Sequence, residues 1–236
     1  MTGSIAIHGG GEFMPGDEGF LGALLALVPE STQPIRIAVV PTAAARGRPD
    51  LAAANGIAAF ERVAGDNGRR IAIESVRVVD EASAADSALA DVLERADLIH
   101  LPGGDPDLIP AIMSGSAAWA GVLRALAGGA ILAGASAGAM ALAGWTWTPD
   151  GGVQGLGLLP GLIVMPHATA ASWEQARARF GASVPAGLAA IGLAERTGVI
   201  MPPIGPWRVV GEGEVRWLPS GQREPRIARD GETIEH

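Results

Sequence analysis

Gly134-Ala135-Ser136-Ala137-Gly138 sets a serine between two glycines, after an apolar run ending at Ala133 and before the Ala-rich run Ala139–Ala143. A hydroxyl is a weak nucleophile until a base takes its proton, so acyl-transfer chemistry raises it on a tight strand-to-helix turn. Flanking glycines let the backbone make that turn without side-chain clashes. The helix that follows turns its free N–H groups towards the serine, where they favour developing negative charge. In a glycine-rich chain the bare G-x-S-x-G pattern is weak. Its position between a strand and a helix makes it a candidate nucleophile.

A second run, Leu101-Pro102-Gly103-Gly104-Asp105, closes another apolar strand. Ligands of open α/β sheets bind at the carboxyl ends of the strands. There Gly103 or Gly104 could turn an N–H into the cleft and form an oxyanion hole with the N–H of Ala137. An ordinary strand-to-helix turn explains the segment equally well. The base should be a histidine, and the chain has four. His167 follows Val164-Met165-Pro166 at a strand end and is the best candidate. His8 precedes a glycine run and reads as a turn residue, His100 lies inside an apolar strand as a core histidine, and His236 is terminal. To orient the imidazole, Glu195 after Gly192-Leu193-Ala194 is favoured over Asp150 and Glu174, because a rigid strand end holds a carboxylate better than a loop. Arg177 and Arg179, with Asp105, are candidate substrate contacts. Their i, i+2 spacing keeps a helix from aiming both arginines at one point, so a solvated helix face accounts for at least one. Trp173 is a candidate pocket wall near His167. Gly9-Gly10-Gly11 does not complete a dinucleotide fingerprint, since Met14 stands at the third glycine position.

Composition narrows the chemistry further. The 236 residues contain no Cys, Lys or Tyr. Thiolate nucleophiles and metal sites, Schiff bases, a Ser–Lys dyad, a phosphate-loop lysine and tyrosine acid–base chemistry are therefore excluded. Net charge is −8, which argues against nucleic-acid binding. Mean hydropathy is +0.28, yet no apolar run approaches the ~18 residues of a membrane span. The start, Met1–Gly11, lacks a basic region followed by an apolar stretch, so a cytoplasmic protein is expected. Serine hydrolase chemistry is what the remaining residue types favour.

The elements that must position these residues read as an α/β pattern. Strands are expected at Ser4–Ile7, Ile35–Val40, Ser75–Val79, Asp97–Leu101, Ala130–Ala133, Leu162–Met165 and Ala190–Leu193. Helices are expected at Asp50–Ala64, Ser83–Ala96, Ser116–Ala127 and Ser172–Phe180, with Trp145–Leu159 as a long loop. Alternation over Trp207–Leu218 predicts a hairpin turning at Gly211–Gly213. No repeat or linker divides residues 1–236, so one domain is expected: an open, mostly parallel sheet with helices on both faces and a C-terminal β-hairpin.

Five segments in order resemble peptidase family S51, the aspartyl dipeptidase (peptidase E) and cyanophycinase group. They are Ile37–Ala43, Leu101–Asp105, Gly134–Ala139, the lone His167 and Gly192–Thr197. The resemblance spans nearly the whole chain. It implies a fold similar to class I glutamine amidotransferases and a Ser–His–Glu triad of Ser136, His167 and Glu195. It further implies Gly103 or Gly104 with Ala137 as oxyanion donors. The order Ser…His…Glu also differs from that of α/β-hydrolases, which place the acid before the histidine. Pro106 stands where cyanophycinases carry Gln, and Asp105 where peptidase E-like members usually carry Asn. The implied substrate is a small acidic peptide cleaved beside an aspartyl residue, with no metal or organic cofactor, no nucleic acid and no membrane; a homodimer stays open. A small-ester esterase and a non-catalytic binding module are the alternative readings.

Overall fold

A computed structural model describes residues 2–148, 151–183 and 187–235, the side chains of 179–183 excepted. The first half alternates strand and helix. β1 (Ser4–His8), α1 (Glu18–Leu27), β2 (Ile35–Val39), α2 (Pro49–Asp66) and β3 (Ile71–Ser75) come first. They are followed by α3 (Glu81–Ala84), α4 (Ser87–Glu94), β4 (Leu98–Leu101), α5 (Leu108–Met113), α6 (Ala117–Ala127), β5 (Ile131–Ala135) and α7 (Ala137–Leu142). The second half is richer in strands. It contains β6 (Ala143–Thr146), β7 (Val153–Gln154), β8 (Leu159–Met165), α8 (Ala170–Ser183), β9 (Ala189–Leu193), β10 (Thr197–Met201), β11 (Trp207–Gly211), β12 (Val215–Leu218), β13 (Arg226–Ala228) and β14 (Thr233–Ile234).

Two mixed sheets result. The larger has eight strands in the order β14-β11-β10-β1-β5-β4-β2-β3. Its run from β1 through β3 is parallel, while β10, β11 and β14 add antiparallel strands at the other edge. The smaller has six strands in the order β13-β12-β9-β8-β6-β7. The fold is α/β with helices on both sides, as the alternating pattern implied.

Burial explains which segments became strands. β5 is buried at every position, as expected of a central parallel strand covered on both faces and written as a continuous apolar run. Successive residues face opposite cores: Ile131 and Ala133 pack with Phe20, Leu24 and Phe60 of α1 and α2. Leu132 packs with Trp119 and Val122 of α6. That second core continues into the smaller sheet through Leu162, Val164, Ile191 and Val215. α6 begins where the Ser116 side chain accepts the Trp119 N–H at 3.1 Å, a hydroxyl cap.

Several boundaries differ from the sequence reading. The hairpin expected over Trp207–Leu218 does not form; the consecutive antiparallel pair near the C-terminus is β12–β13. β11 pairs with β10 and β14 in the large sheet, whereas β12 pairs with β9 and β13 in the small one. Alternation identifies a strand but not its partner, and the turn at Gly211–Gly213 carries the chain from one sheet to the other. The third strand is Ile71–Ser75 rather than Ser75–Val79; Val76 and Val78 are buried, but they lie beyond the strand. α2 opens on Pro49, one residue before the expected start at Asp50, and runs on to Asp66. Within the expected loop Trp145–Leu159, β6 and β7 form an antiparallel pair.

Candidate active site

Ser136 sits between β5 and α7 with φ 49° and ψ −113°. This left-handed conformation is one that residues with a Cβ rarely adopt. Its N–H donates to the His8 carbonyl at 2.9 Å, and its own carbonyl receives the Met140 N–H at 3.0 Å. The flanking glycines are required by close approach. A Cβ on Gly138 would lie 2.0 Å from the Leu101 carbonyl oxygen, and one on Gly134 would lie 2.6 Å from the Gly138 backbone. The turn is therefore held by contacts that no larger residue permits.

His167 ends the segment after β8, also at positive φ, 52°. Its N–H donates to the Gly9 carbonyl at 2.7 Å, and the next N–H, of Ala168, donates to the Leu193 carbonyl at 2.8 Å. The imidazole Nε2 is 2.9 Å from Ser136 Oγ. Nδ1 is 3.0 Å from Glu195 Oε1. These partners favour the tautomer with hydrogen on Nδ1, which donates to the carboxylate and leaves Nε2 to accept from the serine. Glu195 leads from β9 into β10, where the Arg196 N–H donates to the Gly10 carbonyl at 2.8 Å. The structure thus brings Ser136, His167 and Glu195 into one hydrogen-bonded line. Of the rival acids, Glu174 pairs with Arg177 at 3.4 Å, and Asp150 lies outside the described residues.

Gly103, Gly104 and Ala137 also gather here. The N–H groups of Gly104 and Ala137 have no acceptor among the described residues. The Gly103 N–H is already engaged, donating to Glu12 Oε1 at 2.7 Å. The expected substrate contacts have partners of their own where they are described. Arg177 donates to the Arg223 carbonyl, Asp105 lies 3.7 Å from Arg46, and the Arg179 side chain is not described. Trp173 is fully buried against Ile163 and Ala190 rather than lining a pocket. A cavity of about 310 Å³ opens beside His167, lined by Met140, Trp147, Val164, Met165 and Pro166 among others. No Asp, Glu or Arg is among the described residues lining it.

Sequence reasoning passed over the loop after β1. A Cβ on Gly10 would lie 2.2 Å from His167 Cε1, so this glycine makes the seat for the imidazole. Beneath it, His8 and Asp17 are both buried, with Nε2 and Oδ1 3.0 Å apart but poorly aligned for a hydrogen bond. His8 Nδ1 accepts the Gly10 N–H at 3.3 Å, and Asp17 Oδ2 accepts the Phe13 N–H at 2.9 Å. The available signal was a glycine run followed by a carboxylate at the same sheet edge as Ser136. His100, by contrast, is the core histidine expected. Burial first, and the neighbouring His8 second, push its pKa down to about 3, and its ring packs on Phe13 and Phe60.

Backbone strain gathers at this edge. Among the described residues, the non-glycine positions at positive φ are Phe13, Ser136, His167 and Arg196. Each belongs to the site or adjoins one of its residues. Such outliers persist only where the surroundings over-determine them, and they collect at functional sites.

No helix among the described residues is long and apolar enough to cross a membrane. No curated protein matches the chain. Among solved structures, a peptidase from an acI-B1 Actinobacterium superposes with a TM-score of 0.83 at 24% identity, covering 100% of this chain and 98% of that one. A putative peptidase E protein from Listeria monocytogenes EGD-e gives a TM-score of 0.61 at 12% identity, covering 90% and 100%. At these identities the likeness speaks for the fold. The family model of peptidase family S51 matches residues 5–201, and with that match the chain belongs to peptidase family S51, as a serine-type peptidase.

Proposed function

We propose that the protein is a serine exopeptidase that hydrolyses aspartyl peptide or isopeptide bonds in small peptides. The observation that carries this reading is the line from Ser136 Oγ through the two ring nitrogens of His167 to Glu195 Oε1. Ser136 Oγ attacks the scissile carbonyl carbon while its proton passes to His167 Nε2. The imidazolium so formed is stabilised by Glu195 through Nδ1–H. Backbone N–H groups of Ala137 and the Gly103–Gly104 turn receive the negative oxygen. Collapse breaks the C–N bond, and the leaving amine takes the proton from Nε2. Water then attacks the acyl carbon while giving a proton to Nε2, and Nε2 returns that proton to Ser136 Oγ as the ester C–O bond breaks and the acid leaves.

The apolar cavity beside His167 favours an apolar side chain on the leaving residue, since the imidazole must reach the departing nitrogen from that side. It also suits the apolar alcohol of a small ester, which keeps esterase activity as the second reading.

Hydrolysis of α-Asp-X and β-Asp-X dipeptides, with X Leu, Arg or Gly, tests both. Wild type is expected to cleave members of this panel, and Ser136→Ala to lose at least ~10⁴-fold in kcat/KM while keeping its unfolding midpoint. Retained activity in Ser136→Ala overturns the nucleophile assignment. Cleavage of p-nitrophenyl esters with silence on every dipeptide moves the reading to an esterase.

A further inference from the structure

Of the three candidate oxyanion donors, the N–H groups of Gly104 and Ala137 have no acceptor among the described residues, whereas a carboxylate holds that of Gly103. Glu12 Oε1 accepts the Gly103 N–H at 2.7 Å. It does so within reach of the nucleophile: the point where a Gly103 Cβ would stand is 2.8 Å from Glu12 Oε1 and 3.5 Å from Ser136 Oγ. Among the described residues, Glu12 has no ion-pair partner. The loop bearing it is built rather than loose, fixed on one side by His8 on the Gly10 N–H and on the other by Asp17 on the Phe13 N–H.

A carbonyl oxygen that takes the Gly103 N–H must displace this carboxylate. Displaced by one rotamer step, Glu12 remains beside the oxygen that is gaining negative charge, which is unfavourable unless a cation stands between them. The substrate itself carries a group at the right place. In an α-amino acyl group the nitrogen lies about 3 Å from its own carbonyl oxygen. An unblocked N-terminal residue therefore delivers its ammonium next to the vacated donor.

We propose that Glu12 is the substrate-binding residue that recognises the free α-ammonium of the residue being acylated. It plugs the oxyanion donor until that ammonium draws it away. The site consequently selects peptides cleaved after an unblocked first residue and refuses N-acylated ones. An α-Asp peptide is preferred to a β-Asp peptide, whose ammonium is one carbon farther from the scissile carbonyl and whose free carboxylate comes nearer Glu12. This inference rests on Ser136 as the nucleophile but not on peptide turnover.

The test uses diphenyl phosphonate analogues of aspartate, one with a free amine and one N-acetylated, with a small neutral fluorophosphonate as control. Ser136 Oγ bonds to phosphorus, a phenoxide leaves with the serine proton, and the adduct is read by intact mass. Wild type is expected to react at least ~30-fold faster with the free amine, the range of a charge-assisted contact. In Glu12→Gln the ratio should fall to within about 3-fold. Glu12→Asp, with the same charge on a shorter arm, should give an intermediate ratio. Three results overturn the inference while leaving Ser136 as nucleophile: no preference in wild type, an undiminished ratio in Glu12→Gln, or equal acceleration of both probes by that substitution. A preference for β-Asp over α-Asp dipeptides also overturns it. Failure of the fluorophosphonate to label wild type removes the nucleophile itself, and this inference with it.

Discussion

The two sheets meet at the site under opposite conditions. The eight-stranded sheet supplies Ser136 from a turn sealed so tightly that Gly138 nearly touches the Leu101 carbonyl. The six-stranded sheet supplies His167 from the end of β8 and Glu195 from the end of β9, with side chains 47% and 55% exposed. Crowding on every side fixes Ser136; His167, seated against Gly10, and Glu195 keep about half of their side-chain surface open to solvent. The contrast extends to the imidazoles. His167, to which the proposed mechanism gives the taking and returning of a proton, stands where water can stabilise the charge, whereas His100 is sealed among aromatic rings and held neutral. A site assembled across two sheets gives each group the surroundings that its chemistry needs.

The comparison breaks most visibly if one methyl group is added to each half. Gly138→Ala should destabilise the protein by about 3 kcal/mol or more, because the new Cβ meets buried backbone that has no room to yield. Gly161→Ala, in β8 with nothing within 4 Å of the added atom, should change stability by less than about 0.5 kcal/mol. Urea unfolding of both variants reads the difference, and equal costs would show that the first turn is not held by crowding. The next effect is smaller. Glu195→Gln should lower kcat/KM by about 10- to 100-fold, less than for a sealed acid, because solvent shares in stabilising an exposed imidazolium. A loss near 10⁴-fold in the dipeptide assay would mean that exposure does not weaken this half.

The smallest effect sharpens the contrast between the imidazoles. His100 has its pKa lowered to about 3, against about 6.5 in an unfolded chain. The unfolded state therefore binds the extra proton first. Stability from this residue is fully present above pH ~6.5 and is lost as pH falls towards ~3. Going from pH 7 to pH 5 should cost ~2 kcal/mol, and His100→Leu should remove most of that slope in urea unfolding. An unchanged slope would place the acid sensitivity elsewhere.

The same contrast governs how much of the molecule was legible in its sequence. Strands β1, β2, β4 and β5 stand out because covering both faces makes them continuous apolar runs between glycine- or proline-rich turns. Ser136, His167 and Glu195 were legible as candidates because each follows a short apolar run, Ser136 in the larger sheet and the other two in the smaller. The pairing within the second sheet was not legible. Its strands are recognisable at Leu162–Met165 and Ala190–Leu193, but nothing local states that β12 leaves β11 to pair with β9. Partner choice is set by cores that form between segments far apart in the chain. α1 was missed although Phe20, Leu21, Leu24 and Leu25 lie on one buried face. Glu12 was missed because a contact with Gly103, across 91 positions, leaves no periodic trace.

The left-handed conformations at Phe13, Ser136, His167 and Arg196 set a trade between endurance and activity. At about 1 kcal/mol each, they take up a noticeable part of the 5–15 kcal/mol that separates a typical fold from its denatured ensemble. A lineage selected only for heat tolerance would replace them one by one with glycine or asparagine. Relaxing Ser136 in that way would erase the hydroxyl, so the site caps how robust this scaffold becomes while it remains an enzyme.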